Sequence, residues 1–399
     1  MKTIFKSFKF RIYPNKEQEI LFAKHFGACR FVFNHYLNKR KESYLEDKKS
    51  LNYYDNANDL TQFKKDENYI WLKEINSQSL QSSLRNLDTA YNKFFRKQSK
   101  FPNFKSKYDK QSFTIPQSVI IDENKLYIPK FKKGIEINLH RDIEGKILFG
   151  TISKSTTGKY HISITCEVEH QPYEKTNSSI GIDTGIKDLA ILSNGKVYEN
   201  IKTLKANIKK LKYNQRQLSK KQKGSNNRLK QKQILGKIHE KVTNIRLDYL
   251  HKVSTEIIKN QDIICIEDLA VKNLMKNHKL AQAFSDVALG TFYTMLEYKA
   301  NWNNKTIVKI DRFFPSSKTC SVCSWIKQDL ELKDRKWTCP SCNTSHDRDF
   351  NASKNILKQG LNILNSGCGM QSEDKQKRGE ALPLGKSMKL EAPYPLRSE

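Results

Sequence analysis

No uninterrupted apolar run in this 399-residue sequence approaches the 18 or so residues that a bilayer-spanning helix needs. That argues against a membrane-crossing helix and weakens a membrane-surface reading of a basic chain. Acid is the second scarcity: 42 Asp and Glu stand against 72 Lys and Arg, a formal net charge of +30. Self-repulsion on that scale is costly in a compact chain unless a polyanion neutralises it, and nucleic acid is the polyanion to expect. The opening "MKTIFKSFKFRIYPNKEQE" lacks the continuous apolar centre of an export signal, because apolar and basic residues alternate through it. A reducing cytosol is the expected compartment. There are only eight cysteines, and in such a compartment they point to metal or core packing rather than disulfides.

What is present is modular. The length suggests two to four modules, and a hydrophobic share of 37% is enough for packed cores. Residues 4–13 place Ile4, Phe8, Phe10 and Ile12 on one face, with Lys9 and Arg11 on the other, a half-buried strand. Pro14 stops it, and Asn15 with Gln18 three residues on is a helix start. Helical spacing runs to about residue 46, through Leu21, Phe22, Phe26, Cys29, Val32, Phe33, Tyr36 and Leu37. A second helix carries Leu80, Leu84, Leu87, Tyr91 and Phe94, and Pro102 in "KFPNFKSKYDK" ends the helical texture. From about 111 to 170 short β-like runs with Gly and Pro punctuation predict a small barrel. The N-terminal strand is expected to join it, making the helices an insertion.

A new unit opens near residue 179 with "SIGIDTGIKDLAILSNGKVYE", which predicts two strands and a turn. A long basic helical pair follows, lined by Leu204, Ile208, Leu211 and Leu218, then by Ile238, Val242, Ile245, Tyr249, Val253 and Ile257. A charged face is usually just solvated. Here acids are scarce on it, so Lys209, Lys210, Lys220, Lys221 and Arg228 are candidate nucleic-acid contacts. "DIICIEDLA" and "KTIVKIDRFF" predict buried strands, and "DFNASKNILKQGLNIL" a short helix. Residues 366–399 have no periodicity and are expected to be disordered.

Cys320, Cys323, Cys339 and Cys342 make a C-x2-C-x15-C-x2-C pattern. Four thiolates in two close pairs suit tetrahedral structural Zn2+ and leave no open position for a substrate. His346 is a possible ligand, but the cysteines already fill the set. Cys166 and Cys265 lie in β-like runs and read as core, with Cys29 and Cys368 scattered. Three acids stand out: Asp183 interrupts one apolar strand, Glu267 ends another, and Asp349 opens the last helix. A buried carboxylate is expensive unless paired or bound to metal. Three of them suggest Mg2+, and two divalent ions roughly 3.5–4 Å apart are the usual engine of phosphodiester hydrolysis. Asp188, Asp268 and Asp347 read as caps or ion-pair partners. Glu267 and Asp268 are adjacent, and spacing leaves open which one faces the site.

The segments "FRIYPNKEQ", "FGACRFVFNHYL", "FPNFKSK", "GIDTGIKDLA", "IEDLAVKN", "LEYKA", "FFPSSKTCSVC" and "WTCPSCNTSHDRDFNASKNIL", in this order from about residue 5 to 365, resemble the TnpB (OrfB) family. These are transposon-encoded RNA-guided DNA nucleases related to compact type V CRISPR effectors. The resemblance implies a multidomain α+β fold: a wedge-like β-barrel (1–13 and 109–176) with an inserted helical recognition domain (14–108). A split RuvC nuclease of RNase H-like fold (177–317 and 344–365) would follow, interrupted by a zinc-bearing target-nucleic-acid-binding insert (318–343). It implies Asp183, Glu267 and Asp349 as catalytic Mg2+ ligands, one structural Zn2+, and a guide RNA and double-stranded target DNA as partners. It also implies a monomer on one RNA in a prokaryotic, nucleoid-associated setting. Reading of an adjacent DNA motif would fall near Tyr53, Gln81 and Thr114, while Ser77 stands where a Lys is more expected. Two alternatives remain: a non-cleaving RNA-guided repressor, and a DDE-type transposase, which usually orders its acids Asp, Asp, Glu rather than Asp, Glu, Asp.

Overall fold

The computed structural model describes residues 1–331 and 333–367; most of the segment expected to be disordered lies outside them. The chain divides into two compact units, Thr3–Glu169 and Met1–Lys2 with His170 onward.

In the first unit, β1 (Lys2–Tyr13) is an interior strand of a seven-stranded sheet with β2 (Gln111–Ile115), β3 (Ile120–Asp122), β4 (Lys125–Tyr127), β5 (Ile135–Asn138), β6 (Lys146–Lys154) and β7 (Tyr160–His170). The order is β2-β6-β7-β1-β5-β4-β3, so sequence-distant β1 bridges the two halves. Its alternation is the one expected, with Ile4, Phe8, Phe10 and Ile12 all buried. Helices α1 (Lys16–Asp47), α2 (Tyr53–Phe63) and α3 (Ser77–Phe95) lie between β1 and β2 in the chain. The predicted start of α1 is a full capping box: Asn15 Oδ1 accepts from the Gln18 N–H, and Gln18 Oε1 accepts from the Asn15 N–H.

The second unit is built on β8 (Ser179–Asp183), β9 (Asp188–Leu192), β10 (Val197–Glu199), β11 (Ile263–Glu267) and β12 (Thr306–Ile310), ordered β10-β9-β8-β11-β12. The expected two strands after residue 179 are thus three; short β10 pairs with β9 across the turn at Gly195. Strand β8 runs parallel to β11 and antiparallel to β9, and β11 runs parallel to β12. The basic pair is α4 (Thr203–Ser219) and α5 (Asn226–Asn260). Leu211, Leu218, Leu235 and Ile238 form the seam of this hairpin, whereas Ile245, expected inside, is exposed because α5 turns that face to solvent. Lys202 offers α4 no side-chain cap. Asp286, of α7, accepts instead from the N–H groups of Leu204 and Lys205, at 2.8 and 3.0 Å. Helices α6 (Val271–Leu274), α7 (Ala281–Val287) and α8 (Leu289–Trp302) fill a stretch for which the sequence offered no clear reading. The hairpin strands β13 (Lys336–Thr338) and β14 (Ser345–Asp347) lead straight into α9 (Arg348–Asn365).

The central sheet has two different faces. Ile180, Ile182, Ile264 and Ile266 pack into one core with residues of α5 and α8. Cys265 packs on the other side with Ile356 of α9. On that side α9 comes unusually close. A Cβ on Gly181 would lie 2.1 Å from the Ser353 carbonyl oxygen, and one on Gly360 would lie 2.3 Å from Cys265 Sγ. Helix and strands are therefore nearly in backbone contact, and only glycine fits at either position. Gly181→Ala is expected to cost about 1–3 kcal/mol, toward the upper end because the clash is with main chain. Chemical denaturation of the variant beside wild type measures this directly.

Candidate functional site

Strand alternation carries the three acids to one place. Gly181 faces α9, so Asp183, two residues on, faces the same side. Cys265 faces α9, so Glu267 does too. The parallel register pairs Ile266 with Ile182, which sets Glu267 beside Asp183 at the carboxyl ends of β8 and β11. Asp349 sits in the first turn of α9, four residues before the Ser353 that crosses Gly181. Asp268, the alternative to Glu267, is turned away into an ion pair with Arg312. Asp347 caps α9, its Oδ1 accepting from the Phe350 N–H at 3.1 Å, and Asp188 lies 3.7 Å from the Lys187 ammonium.

Burial pushes the Asp183 carboxyl well above the usual carboxylate range, and the charges of Glu267 and Asp349 push it further. Arg348 and the Thr184 N–H only partly oppose this. Burial also raises Glu267, against a 2.6 Å hydrogen bond donated by Ser316 Oγ. Asp349 Oδ2 accepts from Arg335 Nη1 at 3.0 Å. Thr184 is fixed by Tyr293, whose hydroxyl lies 2.6 Å away. Oxygen donors on a half-buried, mutually repelling set suit a hard divalent cation, whose charge would remove the repulsion. Their oxygens are not gathered as tightly as the four thiols: among the described residues, only the cysteines form a group with all ligand atoms within 4.8 Å of one another.

The cysteine site is built from two similar turns. Ser324 N–H donates to the Cys320 carbonyl and Asn343 N–H to the Cys339 carbonyl, at 2.9 and 2.8 Å. Ser324 and Asn343, each one residue past a C-x-x-C, take left-handed φ values of 64° and 56°. The sulfurs of Cys320 and Cys342 are 3.6 Å apart, and those of Cys323 and Cys339 are 3.5 Å apart. Tetrahedral Zn–S bonds of about 2.3 Å require a separation of about 3.8 Å. The tetrathiol therefore has the dimensions and chemistry of a structural zinc site. Burial pushes Cys320 up to about 11, while hydrogen bonds from Thr344 draw Cys342 down to about 6. His346 is not one of the four. Its Nε2 lies 3.1 Å from Cys320 Sγ and its ring packs on Trp337, so it supports a ligand from behind.

Two asparagines of α9 join the two sites, a link that went unread in the sequence. Asn351 of α9 accepts from the Ser321 N–H at 2.9 Å and donates to the Thr319 carbonyl at 2.7 Å. Asn355 donates to the carbonyls of Ser316 and Thr319. The first cysteine turn is thereby fastened to the helix that carries Asp349, and both amides are buried. Their i, i+4 spacing on α9 was the available signal.

The remaining candidates are dispersed. Lys209, Lys210, Lys220 and Lys221 are exposed on and just beyond α4. Arg228 departs from the expectation: its Nη1 donates to the Leu218 and Lys221 carbonyls, at 2.7 and 2.9 Å, so its head group closes its own hairpin. In the first unit Tyr53 Oη accepts from Arg85, one helical turn past half-buried Gln81 on α3. Thr114 on β2 lies against Thr151, with its Oγ1 3.3 Å from the Thr151 hydroxyl. Ser77 accepts from the Lys64 ammonium at 3.4 Å.

Two outcomes follow. Asp183→Asn removes a raised acid. That acid costs nothing below the ordinary aspartate range, where it is protonated folded or unfolded, and its penalty grows as pH rises toward its folded value. The variant should unfold at a higher temperature than metal-free wild type at pH 7 and at the same temperature near pH 3, by calorimetry. His346→Ala should retain four thiols yet lose roughly 10- to 100-fold in zinc affinity, measured by competition with a chromogenic chelator.

Comparison with known proteins adds a family. A family profile described as "Probable transposase" matches residues 163–278, and one described as "Cas12f1-like, TNB domain" matches residues 290–356. A "Helix-turn-helix domain" profile covers residues 1–49, which here form β1 and the single continuous helix α1. A Streptomyces pristinaespiralis protein named "Putative RNA-guided DNA endonuclease" is 37% identical over 95% of each chain. The Escherichia coli K12 protein "Putative RNA-guided DNA endonuclease InsQ" is 34% identical, over 92% of this chain and 95% of its own. The Cas12f1 chain of a structure described as "Cryo-EM structure of the Cas12f1-sgRNA-target DNA complex" shares the fold at 15% identity. Its TM-score is 0.55, over 89% of this chain and 99% of that one. With near full-length identity of this order to such relatives, the chain belongs to the TnpB (OrfB) family.

Proposed function

We propose that this protein is an RNA-guided, adjacent-motif-dependent DNA endonuclease of a transposable element. One observation carries the chemistry: Asp183, Glu267 and Asp349 meet where α9 crosses β8 and β11, and the repulsion among them has no full internal remedy. The names of its relatives supply the substrate class. In this reading the mixed sheet with α5, α8 and α9 is a RuvC-type, RNase H-like nuclease, split by the zinc-bearing insert at 318–343. The seven-stranded sheet is the wedge barrel, and α1–α3 are the inserted recognition domain.

Asp183, Glu267 and Asp349 would hold two Mg2+ ions, which supply charge neutralisation at the scissile phosphate and a water acidic enough to attack it. The protein's part is placement. Ser316 orients Glu267, and Arg335 holds Asp349. Tyr293 fixes Thr184, next to Asp183. Zn2+ at Cys320, Cys323, Cys339 and Cys342 would fold the insert, and Asn351 and Asn355 transmit its position to α9. Guide pairing would read the target sequence while the protein reads heteroduplex shape and backbone. Exposed Lys209, Lys210, Lys220 and Lys221 suit backbone contact, and Tyr53, Gln81 and Thr114 the adjacent motif. One monomer on one guide RNA in a prokaryotic nucleoid completes the reading.

The test is purification from cells carrying the native flanking DNA, sequencing of the RNA that accompanies the protein, and incubation with Mg2+ and a guide-matched plasmid bearing a randomised flank. Cutting should require the guide and a short motif, and should fall more than about 1,000-fold in Asp183→Ala while RNA binding persists. A defined RNA with no cutting would favour the repressor alternative. No accompanying RNA would contradict the guide.

A further inference from the structure

The segment from Phe95 to Lys110 has a composition that the proposed nuclease does not use. It holds six cations, Arg96, Lys97, Lys100, Lys105, Lys107 and Lys110, against one acid, Asp109. Four aromatic side chains alternate with them and face solvent: Phe95 is 65% exposed, Phe101 37%, Phe104 51% and Tyr108 79%.

The backbone here is not loose. The Asn34 amide both donates to the Lys105 carbonyl and accepts from the Lys105 N–H, at 2.9 and 2.8 Å, in the manner of a strand partner. Gln111 Nε2 donates to the carbonyls of Lys107 and Asp109, Asp109 Oδ2 accepts from the Ser106 N–H, and Pro102 is buried. The segment is pinned from both ends; Phe95 and Phe101 lean in part on Tyr91 and Phe94, and Phe104 and Tyr108 stand outside. Lys41 sits over one face of Phe104, at 4.5 Å, and near Phe101, at 5.4 Å. Among the described residues Arg96, Lys97, Lys100 and Lys110 have no acidic partner.

We propose that residues 95–110 form a preorganised stacking platform for an unpaired stretch of nucleic acid. Bases would lie on Phe95, Phe104 and Tyr108, and phosphates on the interleaved lysines. Flat exposed rings beside unpartnered cations match the chemistry of a single strand, whose bases present free faces. A duplex hides those faces and would use only the lysines. The platform rests on the reading that this protein handles RNA and DNA, and it names which surface takes the unpaired part.

The test is fluorescence anisotropy of nucleic-acid-free, full-length protein with a labelled 12-nucleotide oligouridine, the matching oligothymidine and a hairpin duplex. Phe104→Ala and Tyr108→Ala alter solvent-facing rings. Each should weaken single-strand binding roughly 5- to 150-fold with an unchanged salt slope, and should change duplex binding less than about twofold. Tyr108→Trp should restore binding, and Lys100→Gln with Lys107→Gln should lower the slope. Tighter binding of the uridine probe points to the guide as the source of the strand, and tighter binding of the thymidine probe to displaced DNA. Alanine variants that bind single strands like wild type, or that lose duplex binding equally, overturn the platform. Asp183→Asn should bind as wild type, so loss of cleavage and loss of the platform are separable.

Discussion

Helix α9 lies so close to β8 and β11 that a Cβ fits at neither Gly181 nor Gly360, and the placement of the acids depends on that approach. The crossing fixes the depth and rotation of the helix. Because Asp349 is one turn before Ser353 and Asp183 two residues after Gly181, the same contact fixes the distance between two acids from distant parts of the chain. Strand register then adds Glu267 with no further freedom. A close-packed interface has few alternative arrangements, so an acid cluster built on it cannot relax by moving apart.

That rigidity has an electrostatic consequence. Burial and mutual repulsion raise Asp183, and the protein answers with only partial measures: Arg348 near Asp183, Arg335 on Asp349, Ser316 on Glu267. Raised acids of this kind cluster at functional sites, which is in keeping with the proposed metal-binding role. The tetrathiol cluster stands in the opposite relation to its surroundings. Asn351 and Asn355 tie its first turn to α9, and β14 runs directly into that helix. The knuckle and the acid patch adjoin in sequence because one fastens the helix that carries the other.

Much of this was legible in the sequence, and what was not has physical reasons. Apolar runs broken by Asp183 and ended by Glu267 announced buried carboxylates, and the cysteine spacing announced a tetrathiol. The choice between Glu267 and Asp268 was not legible. It depends on which face of β11 the helix covers, and the side chains at 264 and 266 are apolar toward a different core. Ile245 fits the stripe of α5 yet is exposed, since helical spacing states which residues share a face and not how far the partner extends. Arg228 looked like one more cation on a basic hairpin, but a guanidinium near helix-terminal carbonyls finds them before it finds a phosphate. Helices α6 and α7 escaped because their short lengths give periodicity little to register, whereas α8, with Leu289, Phe292, Leu296 and Ala300 at helical spacing, was legible and went unread. The cap that Asp286 provides to α4 spans more than 80 residues and has no local signature.

We propose that the three acids, placed by the glycine crossing, together bind divalent cations. Electron paramagnetic resonance of Mn2+ titrated into the zinc-loaded protein tests it most directly, with wild type compared with Glu267→Gln. Wild type should show bound Mn2+ with the signature of carboxylate ligation, and the variant should lose most of it while its zinc content stays the same. Equal Mn2+ binding in both proteins, or none in either, would contradict it.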